Sequence, residues 1–500
     1  MKKRLIVASL ALLMLLTVGC NKTEDLLGEN MTEVTGTTAL SAATDAQTTV
    51  IEQTEPIVEV DPLEDELGEF DFGGYTYRVL SCTYDPAAAF TMFDTEGITG
   101  DILNDAIYQR NREIEERFHI VFVTSEGSYS SNYKTLTTSV SAGADEYDMI
   151  QVINRNAFSA GLAGQLASVD SMTYLNPSKA YYMQEMNNQL SISGKNFFYY
   201  SEESVHAFER ACCLIFNKSL VEAYHLEDYY ELVRTGKWTL EQFYSEAQKV
   251  AEDLDGNGVY NEADRYGIIG TADYLFASIY NGAGEMTVRK DNDDIPYFAA
   301  ITSERFTNVI DQLLNEMNGG HHIRLNNKAK YDQTVSEFTA NSALFAATVV
   351  GRVANVKEMT SDYGLLPFPK YDEGQEAYYS RVIDGWLHVV PATNTDPERT
   401  SVIMEALASG TAREFIPAYY DNVLSMRALR DEDSVEMLDL IRSTRVMDLG
   451  ECPWFENVRK KYSYDLLFDQ SIPLASLNAS IEKSVNAVIK EAIQKLNSHS

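Results

Sequence analysis

The stretch DILNDAIYQRNREIEERFHIVFVTS, residues 101–125, places a helical pattern directly before a strand pattern. Its apolar side chains that recur near one helical face are Leu103, Ile107, Ile114 and Phe118. That spacing predicts an amphipathic helix. The closing HIVFVTS, residues 119–125, is a short β-rich run and predicts a strand. The helix and strand together form the second half of a β-α-β unit.

The segments on either side extend this unit. YTYRVLS, residues 75–81, alternates in side-chain character and predicts a strand before the helix. EYDMIQV, residues 146–152, is a third short apolar run. The order strand, helix, strand, helix, strand predicts an α/β lobe with parallel pairing. About 430 residues remain beyond a polar N-terminal stretch, which is too many for one core and suits two lobes.

The N-terminus, MKKRLIVASLALLMLLTVGC, has the pattern of a secretory signal. Three basic residues precede an apolar run, residues 6–16, that is too short to span a bilayer comfortably. Its end resembles a bacterial lipobox, in which the cysteine is lipidated and becomes the new N-terminus. We therefore expect a signal peptide over residues 1–19 and lipidation at Cys20. An ordinary signal peptide with a chance cysteine is the alternative.

Composition separates a tether from the folded part. Residues 20–69 are rich in Thr, Glu, Ala and Ser with almost no aromatic residues, which predicts a disordered tether. Without the signal, 37 basic residues stand against 75 acidic ones, a net charge of −38 that excludes nucleic acid as a partner. The cysteines after Cys20 are Cys82, Cys212, Cys213 and Cys452, a count that does not indicate a disulfide framework.

A twelve-residue motif, DLDGNGVYNEAD at 253–264, has the ligand spacing of an EF-hand calcium loop. Gly258 holds the sixth position, where such a loop turns sharply, and an Asp replaces the usual Glu at the twelfth. The predicted calcium ligands are Asp253, Asp255, Asn257, the carbonyl of Val259, and Asp264. A bare Asp/Asn/Gly turn is the alternative. RYGIIGT follows and looks like a strand, so we expect a structural calcium site and not a sensor, which needs a second helix.

Two longer stretches resemble family 1 of the extracellular solute-binding proteins of ABC importers, the group that contains maltodextrin-binding protein. In residues 208–268, an apolar strand leads to Asn217-Lys218, a helix ends at His225-Leu226, and another helix begins at Trp238-Thr239. In residues 341–409, the order is an ALF strand, a YGLLPFPK strand, a crossing, a VPAT strand and a helix after Asp-Pro-Glu. The chain departs from the pattern in a long tail after residue 415 and in His225, where a Gly is usual.

This resemblance implies a two-lobed α/β fold of the periplasmic-binding-protein type II class, with a ligand cleft between the lobes. The N-terminal lobe is expected at residues 70–170 with 385–412, and the C-terminal lobe at 171–384 with 413–500. The implied function is extracellular capture of a solute, with a carbohydrate as the first choice, and delivery of that solute to the permease of an ABC importer. The binding protein is expected to be a monomer.

The cleft residues are chosen by chemistry and by strand position. A sugar needs flat apolar faces for its ring and carboxylates or amides for its hydroxyls, and VIDGWLHVV at the crossing offers Asp384 and Trp386. Ligands also gather at the carboxyl ends of parallel strands. Further candidates are Tyr84, Asp85, Asn154, Arg155, Tyr280, Asn281 and Arg352. Because apolar residues surround Trp386, a place in the core is its alternative.

Two other classes of protein remain open from the sequence. A glycoside hydrolase needs two carboxylates across a cleft, and 75 acidic residues allow any pair to be nominated. The motifs of serine hydrolases, zinc proteases and P-loop enzymes are missing from the sequence. A surface adhesion protein is the third class, and the long tether suits it. The expectation from sequence is a binding protein and not an enzyme.

Overall fold

The computed structural model describes residues 61–82, 92–93, 97–326, 331–425, 428–468 and 472–498. The signal segment, Cys20 and most of the predicted tether lie outside these residues, as do Tyr84 and Asp85. None of the described helices combines the length with the apolar character that a membrane crossing needs.

The first sheet confirms the β-α-β-α-β pattern read from the sequence. Its first three strands are β1 (Tyr75–Cys82), β2 (Ile120–Gly127) and β3 (Met149–Ile153), and β1 pairs in parallel with both others. Helices α1 (Ile102–Phe118) and α2 (Tyr129–Ser141) connect them. A late strand, Trp386–Val389, joins antiparallel to β3, which gives the order late strand, β3, β1, β2.

Helix α1 shows why this region folds as predicted. The side chain of Asp101 accepts hydrogen bonds from the backbone N–H groups of Leu103 and Asn104 and so caps the helix start. Its four predicted apolar residues are all buried. The helix ends at His119, whose left-handed backbone (φ 49°) turns the chain into β2. Capping, periodicity and termination therefore agree over one short stretch of sequence.

The second sheet has five strands. In chain order they are β4 (Cys212–Asn217), β5 (Tyr266–Thr271), β8 (Ile323–Asn326), β9 (Ala343–Val349) and β10 (Tyr363–Leu366). Between β5 and β8 lie two short strands, β6 (Val288–Lys290) and β7 (Pro296–Phe298), which pair with each other. The spatial order is β10, β4, β9, β5, β8. The β5 strand runs parallel to both neighbours, and β4 runs antiparallel to both of its own. Strands β4, β5, β9 and β10 are buried along their whole length, as expected for a sheet with both faces covered.

Short strands and helices complete the chain. Strand β11 (Ser380–Arg381) pairs in parallel with β13 (Arg445–Val446), and the late strand Trp386–Val389 is β12. The remaining helices are α3 (Asn154–Leu162), α4 (Gln184–Leu190), α5 (Val205–Glu209), α6 (Lys218–Tyr224), α7 (Tyr229–Arg234), α8 (Leu240–Val250), α9 (Ala272–Gly282), α10 (Glu304–Gly319), α11 (Tyr331–Thr339), α12 (Pro397–Gly410), α13 (Ile416–Ser425), α14 (Glu432–Ser443) and α15 (Leu474–Ser498).

The lobes exchange segments at different places than the sequence suggested. The segment Thr411–Phe415 and helix α13 pack against α1, on the N-terminal lobe, whereas 413–500 was expected in the C-terminal lobe. On the same lobe, the hydroxyls of Tyr181 and Tyr182 donate to Glu405 of α12 at 2.5 Å, beyond the expected boundary at residue 170. The hydrophobic pattern could not locate these exchanges because both lobes bury helices of similar character.

Candidate functional site

The candidate site lies where strands of both sheets end. Helix α3 begins directly after β3, and helix α9 begins directly after β5, so both helix starts stand at the carboxyl ends of parallel strands. The backbone N–H of Asn154 donates to the carbonyl of Gly385 at 3.0 Å. This bond fastens the end of β3 to the segment that crosses between the lobes.

Asp384 occupies the centre of this crossing. Its backbone is left-handed (φ 54°), a conformation that Asp tolerates better than most residues. Its Oδ1 lies 3.1 Å from Nη1 of Arg155 and 3.3 Å from Nη1 of Arg459. The first arginine starts α3 in the N-terminal lobe, and the second comes from the C-terminal tail. One carboxylate oxygen therefore joins guanidinium groups from two distant parts of the chain.

Arg459 continues the contact to the other lobe. Its Nη2 lies 3.1 Å from Oδ1 of Asp273, at the start of α9, and the hydroxyl of Tyr464 donates to the same oxygen. Arg459 and Asp273 are both buried. A continuous charged chain, Arg155–Asp384–Arg459–Asp273, therefore runs from one lobe to the other at the crossing segment.

Electrostatics fix the charge state of Asp384. Burial alone would raise its pKa, but the nearby guanidinium groups outweigh burial and lower the pKa to about 2. Those groups belong to Arg459, Arg155, Arg210 and Arg381. At neutral pH Asp384 is therefore a carboxylate that accepts hydrogen bonds and carries no proton to donate.

Aromatic rings stand beside these charges. The ring of Phe455 is half-buried, with the guanidinium carbon of Arg155 5.0 Å and that of Arg459 5.1 Å from its centroid. At the ends of β5 and β9, the guanidinium of Arg352 lies 4.3 Å from the ring centroid of Tyr331. The ring of Tyr274 meets Tyr331 edge-on at 5.6 Å. Both the crossing and the ends of β5 and β9 thus pair aromatic rings with guanidinium groups.

The structure brings together only part of the set predicted from sequence. Asn154, Arg155 and Asp384 meet at the crossing, and Arg352 lies at the end of β9. Trp386 lies in β12 with 1% of its surface exposed, which matches its alternative place in the core. Tyr84 and Asp85 lie outside the described residues.

The candidates Tyr280 and Asn281 are also buried away from the cleft. Both have 0% exposure in α9. The hydroxyl of Tyr280 donates to Glu451 at 3.1 Å, and Nδ2 of Asn281 donates to the carbonyl of Glu285 at 2.9 Å. Both were candidates from the glycine-bearing IYNGAGE stretch, but helix α9 runs on to Gly282 and buries both side chains. This geometry does not support a ligand-binding role for them.

Sequence reasoning missed three side chains at the centre of the site: Asp273, Phe455 and Arg459. The signal for Asp273 was present, because it follows a predicted strand just as Asn154 does. Phe455 and Arg459 carry no such signal, since they lie in the tail beyond the recognisable pattern. They are found only in the structure, where the tail packs against the crossing segment.

The predicted calcium loop joins α8 to β5. Carboxylate oxygens of Asp253, Asp255 and Asp264 lie within 4.8 Å of one another. The two oxygens of Asp253 accept backbone N–H bonds from Gly256 at 2.8 Å and from Gly258 at 2.7 Å. Because the three carboxylates converge, the oxygen donor set fits a hard divalent cation. Asn257 and Val259 lie in the same loop, where Oδ1 of Asn257 accepts from the N–H of Val259.

This loop is remote from the cleft. It precedes the amino end of β5, whereas Asp273 follows the carboxyl end of the same strand. A six-residue strand separates the two ends by about 20 Å.

Comparisons with known proteins agree with this architecture. A family model for bacterial extracellular solute-binding proteins matches residues 103–422, more than half of the chain. No curated protein sequence matches the chain.

Solved structures share the fold at low sequence identity. A cyclo/maltodextrin-binding protein complexed with maltotetraose is 13% identical, with a TM-score of 0.53 over 84% of this chain and 97% of that one. UgpB from Mycobacterium tuberculosis in complex with glycerophosphocholine is 14% identical, with a TM-score of 0.54 over 84% and 99%. The GacH receptor of Streptomyces glaucescens, studied unliganded and with acarbose, is 11% identical, with a TM-score of 0.51 over 83% and 99%.

The two sheets, the shared segments between the lobes and the family match lead to one conclusion: this chain belongs to the bacterial extracellular solute-binding proteins.

Proposed function

We propose that the protein captures a carbohydrate in the cleft around Asp384 and delivers it to an ABC importer. The observation that carries this proposal is the combination of an ionised carboxylate, two guanidinium groups and the half-buried ring of Phe455 within one site. A carboxylate can accept hydrogen bonds from sugar hydroxyls and a guanidinium can donate to them, while an aromatic ring packs against the C–H face of a sugar ring.

The solved relatives support a small polar solute and favour a sugar. The relatives with maltotetraose and acarbose hold oligosaccharides or their analogues in this fold. The relative with glycerophosphocholine holds a zwitterionic phosphodiester. The arginines near Asp384 can donate hydrogen bonds to sugar hydroxyls and to a phosphate alike. An experiment is therefore needed to distinguish the two ligand classes.

Calorimetric titration of the purified protein with maltotetraose, acarbose and glycerophosphocholine tests the proposal. We expect heat of binding with an oligosaccharide and a raised melting temperature in its presence. An Asp384→Asn variant should lose that binding. Binding of glycerophosphocholine alone would reject the carbohydrate assignment while leaving the solute-binding role in place.

A hydrolytic role is the competing proposal, and the charge state of Asp384 and the partners of Asp273 disfavour it. A glycosidase needs one carboxylic acid that keeps its proton near neutral pH. Asp384 instead has its pKa lowered to about 2, and Asp273 is held by Arg459 and Tyr464. Incubation with the bound oligosaccharide, followed by chromatography, should show no product. Product formation would favour the enzyme.

We propose further that the protein is held by lipid at Cys20 on the outer face of a bacterial cell membrane. The lipobox-like end of the signal and the polar tether support this arrangement. The tether gives the two lobes reach to a permease while the lipid keeps them near the membrane. In this proposal the protein works as a monomer.

We also propose that the loop 253–264 binds a structural calcium ion. Asp253, Asp255, Asn257 and Asp264 would supply side-chain oxygens, and Val259 its carbonyl. Three converging carboxylates repel one another until a divalent cation neutralises them. The ion would hold the connection from α8 to β5 and would take no part in solute binding.

A further inference from the structure

A second group of charges, separate from the Asp384 contacts, joins the lobes. Glu202 lies on a segment fastened to the N-terminal lobe: the hydroxyl of Tyr200 donates to the carbonyl of Gly385 at 2.9 Å, and the backbone N–H of Glu202 donates to Tyr181. The next residue, Glu203, lies 2.7 Å from Nδ1 of His388 in β12. Glu202 therefore moves with the N-terminal lobe.

Its partners belong to the other lobe. Helix α14 is bound to the second sheet through Ser434, whose Oγ contacts the hydroxyl of Tyr230 at 2.8 Å and accepts the N–H of Leu365 in β10 at 3.1 Å. Arg442 lies in the last turn of α14, and Arg445 begins β13. Strand β13 pairs with β11, which packs against α9, so both arginines lie on elements attached to the second sheet.

The ion pairs between these elements are only partly satisfied. Oε1 of Glu202 receives both guanidinium groups, at 3.1 Å from Arg442 and 2.9 Å from Arg445. Oε2 of Glu202, Nη1 of Arg445 and Nε of Arg442 have no hydrogen-bond partner among the described residues. Glu202 is 4% exposed and Arg445 is 6% exposed, so water does not freely replace the missing partners. A buried network left half-satisfied is less stable than one in which every group is paired.

A groove gives this network room to rearrange. A cavity of about 670 Å³ adjoins the three charged side chains. Tyr182, Met183 and Glu185 line it from the side of the N-terminal lobe, and Asp439, Leu440 and Ser443 line it from α14. Because its two walls belong to different lobes, its width changes when the lobes rotate about the crossing segments.

We propose that Glu202, Arg442 and Arg445 form a latch between the lobes, which exchanges its pairing when the lobes rotate. In the arrangement described here one carboxylate oxygen is shared by two arginines. Rotation that narrows or widens the groove lets both oxygens of Glu202 engage one guanidinium as a bidentate pair. The latch thereby biases the open-to-closed equilibrium of the lobes, whatever the solute is.

A distance measurement without solute tests the latch. Spin labels are attached through Glu113→Cys on α1 and Glu241→Cys on α8, which are exposed positions on different lobes. The full mature chain that carries them also has Cys82→Ser and Cys20→Ser, so that these two cysteines are not labelled. The other three cysteines have 0% exposure and stay unlabelled. We expect Glu202→Gln to shift and broaden the interlobe distance distribution relative to the otherwise identical parent.

The matched control is Glu185→Gln, which removes another carboxylate from the same groove. The only described hydrogen bond of the Glu185 carboxylate comes from Gln189 on its own helix. This variant should keep the parent distribution. If Glu202→Gln does not fold, Arg442→Gln carries the test, because its side chain is 28% exposed and leaves the Arg445 pair in place. The latch is overturned if the folded Glu202→Gln variant keeps the parent distance distribution. The same holds for Arg442→Gln if that variant has to be used instead. Either result would leave only a static ion pair.

Discussion

Asp384 shows how one carboxylate is held at the junction of two lobes. Its left-handed backbone points the side chain at Arg155 and Arg459, and neither arginine lies near it in sequence. The sequence identified Asp384 from the crossing and Arg155 from the end of a strand. It did not identify their contact with each other, because proximity across about 230 residues follows from the fold and not from local pattern.

This charged contact predicts acid sensitivity. The pKa of Asp384 is about 2 in the folded chain and 3.8 without its surroundings, so its contribution to stability is present above about pH 4 and is lost as the pH falls toward 2. The difference corresponds to about 2 kcal/mol. Urea unfolding at a series of pH values should show this loss in the parent protein. An Asp384→Asn variant should lack that part of the pH dependence, and equal slopes in the two proteins would contradict the assignment.

Trp386 allows a second test at the same scale. Its ring is 1% exposed, so Trp386→Ala should leave a cavity and lower the free energy of unfolding by about 3–5 kcal/mol. Denaturant unfolding measures this loss. If stability is retained and only solute binding is lost, the original stacking hypothesis for Trp386 would be correct.

At the scale of elements, the parallel β-α-β-α-β start and the helix α8 follow from local pattern. Thr239 caps α8 as its position suggests, accepting the N–H of Gln242. The antiparallel additions were harder to predict: β12 joins the first sheet and β4 reverses against its neighbours in the second. Pairing direction in such strands depends on where distant segments return, and hydrophobic periodicity carries no information about that.

The loop between α8 and β5 gives a prediction about this element. Removal of calcium with EDTA should lower the melting temperature, because the proposed ion would bind the folded loop and not the unfolded chain. Asp255→Ala should abolish the effect of EDTA, since it removes one of three converging carboxylates. Scanning calorimetry with and without added calcium measures both results. Solute affinity at low temperature should stay unchanged in this variant, and its loss in a folded protein would mean that the ion belongs to the binding site.

At the scale of the whole molecule, the chain couples a folded pair of lobes to a long polar N-terminal segment. Cys20→Ser should release the protein from the membrane fraction while its melting temperature stays the same, because Cys20 begins the polar stretch that the sequence predicts to be a tether outside the lobes. Fractionation of cells followed by immunoblotting measures the distribution. Retention of the variant in the membrane fraction would reject lipidation at this cysteine.

The late arrival of β12 in the first sheet has a consequence for how the protein is made. The neighbouring strand β3 ends at Ile153, yet its partner is not synthesised until Trp386–Val389 leaves the ribosome, more than 230 residues later. The first lobe therefore cannot complete its sheet until most of the chain has been translated. For the export that the proposed signal peptide implies, this interleaved chain order would delay collapse of the first lobe before the chain crosses the membrane.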